Sequence, residues 1–242
     1  MATPVLALHS GGFTSRQWRR LAADLAPTRR VLTPDLTGYA ARPRWPVGVP
    51  FHLETDLALI GELLVEPMHV VGHSYGGLLA LQLALAHPDK VTSLALYEPV
   101  AFGALPTAEA DAAERLLPRY DPANPEVWFE AFVDWWNGPG AWQTLAAPTK
   151  DAFRDVGWKL SEEVRTLMAD RTGARYAGIT QPTLLLGGGK TQPLELRVLD
   201  ELRAMLPRAT LRVFPALGHM GPIVDAAGVN AAIVEHVVAS DA

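Results

Sequence analysis

The sequence predicts an α/β fold: a mostly parallel sheet of about six strands, covered by helices on both faces, with a helical cap inserted within it. Two observations predict the sheet and a third predicts the cap. Short runs rich in Val and Leu are continuously apolar rather than alternating, as strands buried on both faces require. Stretches with helical spacing separate these runs, and strand–helix alternation favours parallel strands joined by crossovers. Between residues 103 and 177 the alternation stops, and helical patterns follow one another without a convincing strand.

In chain order, apolar runs at 5–8, 30–33, 68–71, 91–97, 183–186 and 210–214 are the expected strands. Helical spacing at 16–25, 53–64, 75–86, 194–206 and 224–238 marks the expected covering helices. Crossover connections bring the C-terminal ends of parallel strands to one edge, where ligands usually bind. The cap segment, 103–177, holds Trp128, Trp135, Trp136, Trp142 and Trp158, five of the seven tryptophans, interrupted by the turn Asn137-Gly138-Pro139-Gly140. Trp128, Trp135, Trp136 and Trp142 are candidates for an apolar pocket lining, or else hold the cap together. No repeat, low-complexity tract or linker divides the chain, so residues 1–242 are expected to form a single domain.

Composition narrows the function classes. The net charge of −5 arises from 21 basic and 26 acidic residues without a basic tract, so nucleic acid is not an expected partner. With no cysteine, disulfides, thiolate metal sites and cysteine nucleophiles are excluded. His9, His52, His69, His87 and His236 lack metal-ligand spacing, so no metal site is expected. Met1-Ala2-Thr3-Pro4 passes into the first apolar run without a basic region, and no run approaches membrane-spanning length. These features predict a soluble, cytoplasmic protein that does not engage a membrane.

The chemistry centres on Gly72-His73-Ser74-Tyr75-Gly76, which follows an expected strand and opens an apolar helix. The G-x-S-x-G motif needs this strand–turn–helix context: the turn strains the serine, and glycines two residues either side avoid clashes. Ser74 would then project at a helix N-terminus, where free N–H groups favour developing negative charge. A glycine-rich phosphate turn is the bland alternative.

With this elbow the chain resembles the α/β-hydrolase superfamily over nearly its whole length. The segment Leu8-His9-Ser10-Gly11-Gly12 resembles the family's His-Gly-x loop, with Ser10 in place of the usual glycine. That match implies an oxyanion hole formed by the N–H groups of Gly11 and Tyr75. Thr33-Pro34-Asp35-Leu36-Thr37-Gly38 resembles the Pro-Asp-x-x-Gly segment, in which Asp35 is expected to be structural, bonding N–H groups of the following turn. The family order of serine, acid, histidine implies His219 as base, on the loop Pro215-Ala216-Leu217-Gly218-His219 after the last strand. Its ordinary pKa suits proton transfer near neutrality, and His73 beside the serine points elsewhere.

The acid departs from the commonest pattern. Where an aspartate would follow the strand at 183–186, the chain has Gly187-Gly188-Gly189-Lys190-Thr191-Gln192. A minority of the family carries the acid one strand earlier, which here is Glu98 in Tyr97-Glu98-Pro99. The alternatives are Glu195 or a dyad without an acid. The resemblance thus implies a cofactor-free serine hydrolase of carboxylesterase type, with Ser74, His219 and Glu98 cleaving an ester or similar activated acyl bond of a small, hydrophobic molecule. Thioesterase, lactonase, C–C bond hydrolase and haloperoxidase-like activities share the machinery, and a slowly turning-over small-ligand receptor shares the fold.

Overall fold

The computed structural model describes residues 2–241. Strands β1 (Val5–Leu8), β2 (Val31–Leu32), β3 (Met68–His73), β4 (Val91–Tyr97), β5 (Thr183–Gly188) and β6 (Ala209–Phe214) form one parallel sheet in the order β2-β1-β3-β4-β5-β6. Helices α1 (Arg19–Leu25), α2 (Leu53–Gly61) and α3 (Tyr75–Ala86) connect the first four strands. Helices α4 (Thr107–Ala113), α5 (Pro125–Asn137), α6 (Ala141–Thr144), α7 (Ala147–Asp155) and α8 (Gly157–Ala169) fill the stretch between β4 and β5. The chain closes with α9 (Pro193–Met205), α10 (Gly221–Val224) and α11 (Ala226–Ala239).

Strand periodicity divides the core. Val5 and Ala7 pack with Leu21 of α1 and Ile233 of α11, whereas Leu6 and Leu8 face the opposite side with Leu79 of α3. The four inner strands are buried on both faces, as their continuous apolarity requires. Strands β2 and β6 are only partly covered because they terminate the sheet.

Three boundaries differ from the sequence expectation. Residues Ser15–Trp18 wind as a 3-10 turn ahead of α1. The strand at 30–33 shortens to Val31–Leu32. The last helical stretch breaks at Asp225, whose Oδ1 accepts the Gly228 N–H at 3.0 Å and caps α11. Within the insertion, aromatic rings supply much of the packing: Trp128 stacks on Phe132 at 4.9 Å, and Trp142 on Phe129 at 5.2 Å. Among the described residues, no helix is long and apolar enough to cross a membrane.

Candidate active site

Helix α3 begins one residue after β3 ends, leaving Ser74 as the whole connection. Its backbone takes φ 56° and ψ −120°, a region that costs a non-glycine residue about 1–3 kcal/mol. Surrounding bonds hold it there. The Ser74 N–H donates to the Tyr97 carbonyl at 3.0 Å, and the Ser74 carbonyl accepts from Leu78 N–H at 3.1 Å. A methyl group on Gly72 would meet the Gly76 carbonyl, and one on Gly76 would meet the Leu8 carbonyl, so neither position tolerates a side chain.

His219 and Glu98, from the ends of two other strands, converge on this turn. His219, on the loop after β6, places Nε2 3.0 Å from Ser74 Oγ and Nδ1 2.6 Å from Glu98 Oε2. Glu98 directly follows β4 and is fully buried. Its Oε1 accepts the Gly188 N–H at 2.7 Å, and its Oε2 accepts the Thr191 hydroxyl at 2.7 Å. The segment that lacks an aspartate, 187–192, therefore supplies donors that orient a carboxylate from the neighbouring strand. Glu195 makes no such contact: it is fully buried, and neither of its carboxyl oxygens has a hydrogen-bond partner among the described residues. Burial, with Glu98 nearby, pushes its pKa well above the carboxylate range, so it keeps its proton.

His73 points away from Ser74 Oγ and toward the backbone. Its Nε2 lies 2.9 Å from the His219 carbonyl and its Nδ1 3.0 Å from Gln17 Nε2. Burial lowers its pKa well below the ordinary value, so a neutral ring donates through Nε2 and accepts at Nδ1. Gln17 Oε1 in turn accepts the Ser10 N–H at 3.1 Å. One relay of side chains thus ties the His219 loop to the loop after β1.

On that loop, the Gly12 N–H donates to the Tyr39 hydroxyl at 3.0 Å. His9 accepts the Leu36 N–H at Nε2, 3.1 Å away, and Nδ1 lies 2.8 Å from the Ser10 carbonyl. Burial lowers the His9 pKa to about 4, which leaves the ring neutral and structural. Among the described residues, the N–H groups of Gly11 and Tyr75 donate to no protein acceptor, and both residues line the cavity with Ser74 and His219. Asp35 Oδ1 accepts the Ser15 N–H at 2.7 Å, so its partner is the turn ahead of α1, not the turn following Asp35.

The cavity above Ser74 encloses about 310 Å³, with apolar walls that include Phe13, Val100, Phe132, Leu160 and Met168. Of the four candidate tryptophans, Trp136 alone lines it, stacked on the His219 ring at 3.7 Å between centroids. Trp128, Trp135 and Trp142 do not reach it. Trp128 and Trp142 are consumed by stacking inside the insertion, and Trp135 packs edge-on behind Trp136 at 4.3 Å. Sequence reasoning also missed Glu163, which lines the cavity, and Tyr39, Lys159 and Asp56, which bond around it. The one sequence signal that could have found them is the i, i+4 offset of Lys159 and Glu163 on a helix. Among the described residues, no group of three or more His, Asp or Glu side chains could hold a metal ion.

The family model for "Alpha/beta hydrolase family" matches residues 5–232. Over 173 residues the chain is 34% identical to Lipase LipV of Mycobacterium tuberculosis, covering 65% of this chain and 62% of the lipase, under two thirds of that relative's length. It is 25% identical to 2-hydroxymuconate semialdehyde hydrolase of Pseudomonas sp. over 99% of this chain and 88% of that enzyme. Pimeloyl-[acyl-carrier protein] methyl ester esterase of Chromobacterium violaceum is 29% identical, over 89% of this chain and 86% of the esterase. Among solved structures, MenH from S. aureus superposes with a TM-score of 0.77 at 18% identity, covering 99% of this chain and 95% of MenH, a likeness of fold. The match of the family model across nearly the whole sequence places this chain in the alpha/beta hydrolase family.

Proposed function

We propose that the chain is a serine hydrolase of carboxylesterase type, cleaving an ester or similarly activated acyl bond of a small, neutral, hydrophobic molecule through an acyl-enzyme on Ser74. The observation that carries this reading is the unbroken relay from Ser74 Oγ through His219 to Glu98, opening onto an apolar cavity.

Ser74 Oγ attacks the acyl carbon while its proton passes to His219 Nε2. The carbonyl π pair moves onto oxygen, and that oxyanion accepts hydrogen bonds from Gly11 and Tyr75 N–H. Glu98 holds the Nδ1–H tautomer and stabilises the imidazolium. Collapse of the intermediate expels the leaving group, which takes the proton back from His219. Water then repeats the sequence on the acyl-enzyme, with His219 accepting its proton, and the acid is released.

Among the described residues the cavity lining contains no Lys or Arg, so a substrate carboxylate would find no lysine or arginine partner there. Apolar walls favour an acyl or aryl group, and a free N–H pair beside the serine suits any polarised carbonyl. Lipase and methyl ester esterase among the relatives support ester cleavage. The hydrolase of 2-hydroxymuconate semialdehyde, aligned over nearly the whole chain, makes C–C bond hydrolysis the second reading.

The test is steady-state hydrolysis of neutral aryl esters of graded acyl length beside a carbon–carbon-cleavage substrate. Ester turnover by the wild-type chain, abolished in Ser74→Ala, is expected. Turnover of the carbon–carbon substrate alone would replace the esterase reading with the second one, and binding without any turnover would leave a ligand receptor.

A further inference from the structure

Beside the cavity, with Glu163 and Tyr75 in its wall, lies a cluster of buried polar side chains that the acylation chemistry does not use. Lys159 on α8 is buried with its ammonium among the rings of Phe51, Tyr39 and Tyr75, at 4.3, 4.7 and 5.2 Å from their centroids. It donates to Asp56 Oδ2 at 2.9 Å and to Glu163 Oε1, one turn further along α8. Each carboxylate passes the connection onward. Glu163 Oε2 accepts the Tyr39 hydroxyl at 2.7 Å, and that hydroxyl accepts the Gly12 N–H at 3.0 Å. Asp56 Oδ2 accepts the Tyr75 hydroxyl at 3.1 Å, while Oδ1 accepts the Thr37 N–H at 2.8 Å.

Both arms end at the oxyanion hole. One reaches Gly12, adjacent to Gly11, and the other reaches the side chain of Tyr75 itself. Asp56 belongs to α2, Tyr39 to the loop after β2, and Lys159 and Glu163 to the helical insertion, so a single ammonium links three parts of the chain. Burying five polar side chains costs free energy that a hydrophobic joint between insertion and sheet would avoid. Apolar packing would also supply no directional bond to the Gly12 N–H or the Tyr75 hydroxyl.

We propose that Lys159 is a positioning residue: through Glu163 and Tyr39 on one arm, and Asp56 and Tyr75 on the other, it fixes the separation of the two oxyanion-hole N–H groups. Docking of the insertion then completes the catalytic machinery as well as walling the cavity. The proposal rests on the reading that Ser74 is acylated. Displacing a donor by a fraction of an ångström weakens its bond to the oxyanion but leaves apolar substrate contacts intact. The loss belongs in kcat, with KM nearly constant.

Two variants separate this role from simple adhesion. Tyr39→Phe removes one hydroxyl and cuts the Gly12 arm; Lys159→Met removes the hub. Should Lys159→Met fail to fold, Tyr39→Phe decides. Each folded variant is compared with wild type in aryl-ester turnover and in affinity for an aryl trifluoromethyl ketone and its alcohol analogue. Ser74 Oγ adds to the ketone carbon, its proton moves to His219, and the π pair becomes an oxyanion; the alcohol fills the cavity without reacting. The expected result is kcat lowered about 10- to 100-fold, KM within about 2-fold, ketone affinity lowered in parallel and alcohol affinity unchanged. Folded variants with lower Tm but wild-type kcat and ketone affinity would overturn the proposal and leave the ester-hydrolase reading standing. A wild-type chain that neither turns over ester nor captures the ketone would overturn both.

Discussion

Ser74 and Glu98 are two of the three non-glycine residues with positive φ among the described residues, at 56° and 42°. Strain at these positions aims each side chain across the strand ends, and the bonds that the Ser74 and Glu98 N–H groups donate to the Tyr97 and Leu186 carbonyls keep it there. Glu98→Gln preserves the shape of the side chain but presents an amide to His219 Nδ1, so the ring loses its anionic partner. We expect kcat to fall by about 10³–10⁴ with the melting temperature nearly unchanged, measured by ester turnover and thermal melts; near-wild-type kcat would remove Glu98 from the relay. Ser74 was marked by its pentapeptide, and His219 by the family's order of serine, acid and histidine. Glu98 was legible only as the residue after a strand, selected by the missing aspartate. The partnership of Tyr39 with Glu163 spans 124 positions, and no local pattern announces such a contact.

At the scale of elements, the elbow is where the sequence is most constraining. Gly76 lets α3 start directly over the end of β1, and a methyl group there would press on the Leu8 carbonyl. Gly76→Ala is expected to lower stability by about 3 kcal/mol or more, read from urea melts, because the backbone on both sides is buried. Melts matching wild type would show that the turn relaxes. Strands and covering helices were readable from periodicity, whereas the ends of α1 and α11 depended on a 3-10 turn and on the Asp225 cap. The tryptophans expose the limit of that reasoning. Helix α5 carries Trp128, Phe129, Phe132, Trp135 and Trp136 together on one face about 120° wide, so spacing cannot say which of them meets the cavity. Tertiary packing selected Trp136 and enclosed Trp128.

For the molecule as a whole, the Lys159 cluster makes stability depend on pH. Glu163 lies among Lys159, Asp56 and Tyr39, and burial pushes its pKa from 4.5 to about 7, against the pull of Lys159. The folded chain therefore keeps this proton over a range in which the unfolded chain has lost it. Stability from this group is present below 4.5 and fades as pH rises through about 7. Glu163→Gln cannot titrate, so the stability of the variant relative to wild type is expected to rise between about pH 5 and pH 8, by roughly 1–3 kcal/mol. Urea melts at the two pH values check this; a pH-independent difference would show that Glu163 does not ionise in that window.

The central claim is that Ser74 is an activated nucleophile. Intact-mass spectrometry after incubation with a fluorophosphonate, followed by peptide mapping, tests it most directly. A single adduct on Ser74 in wild type, absent from Ser74→Ala and formed much more slowly in Glu98→Gln, is the expected result. A wild-type chain that stays unlabelled, or carries the adduct on another residue, would contradict it.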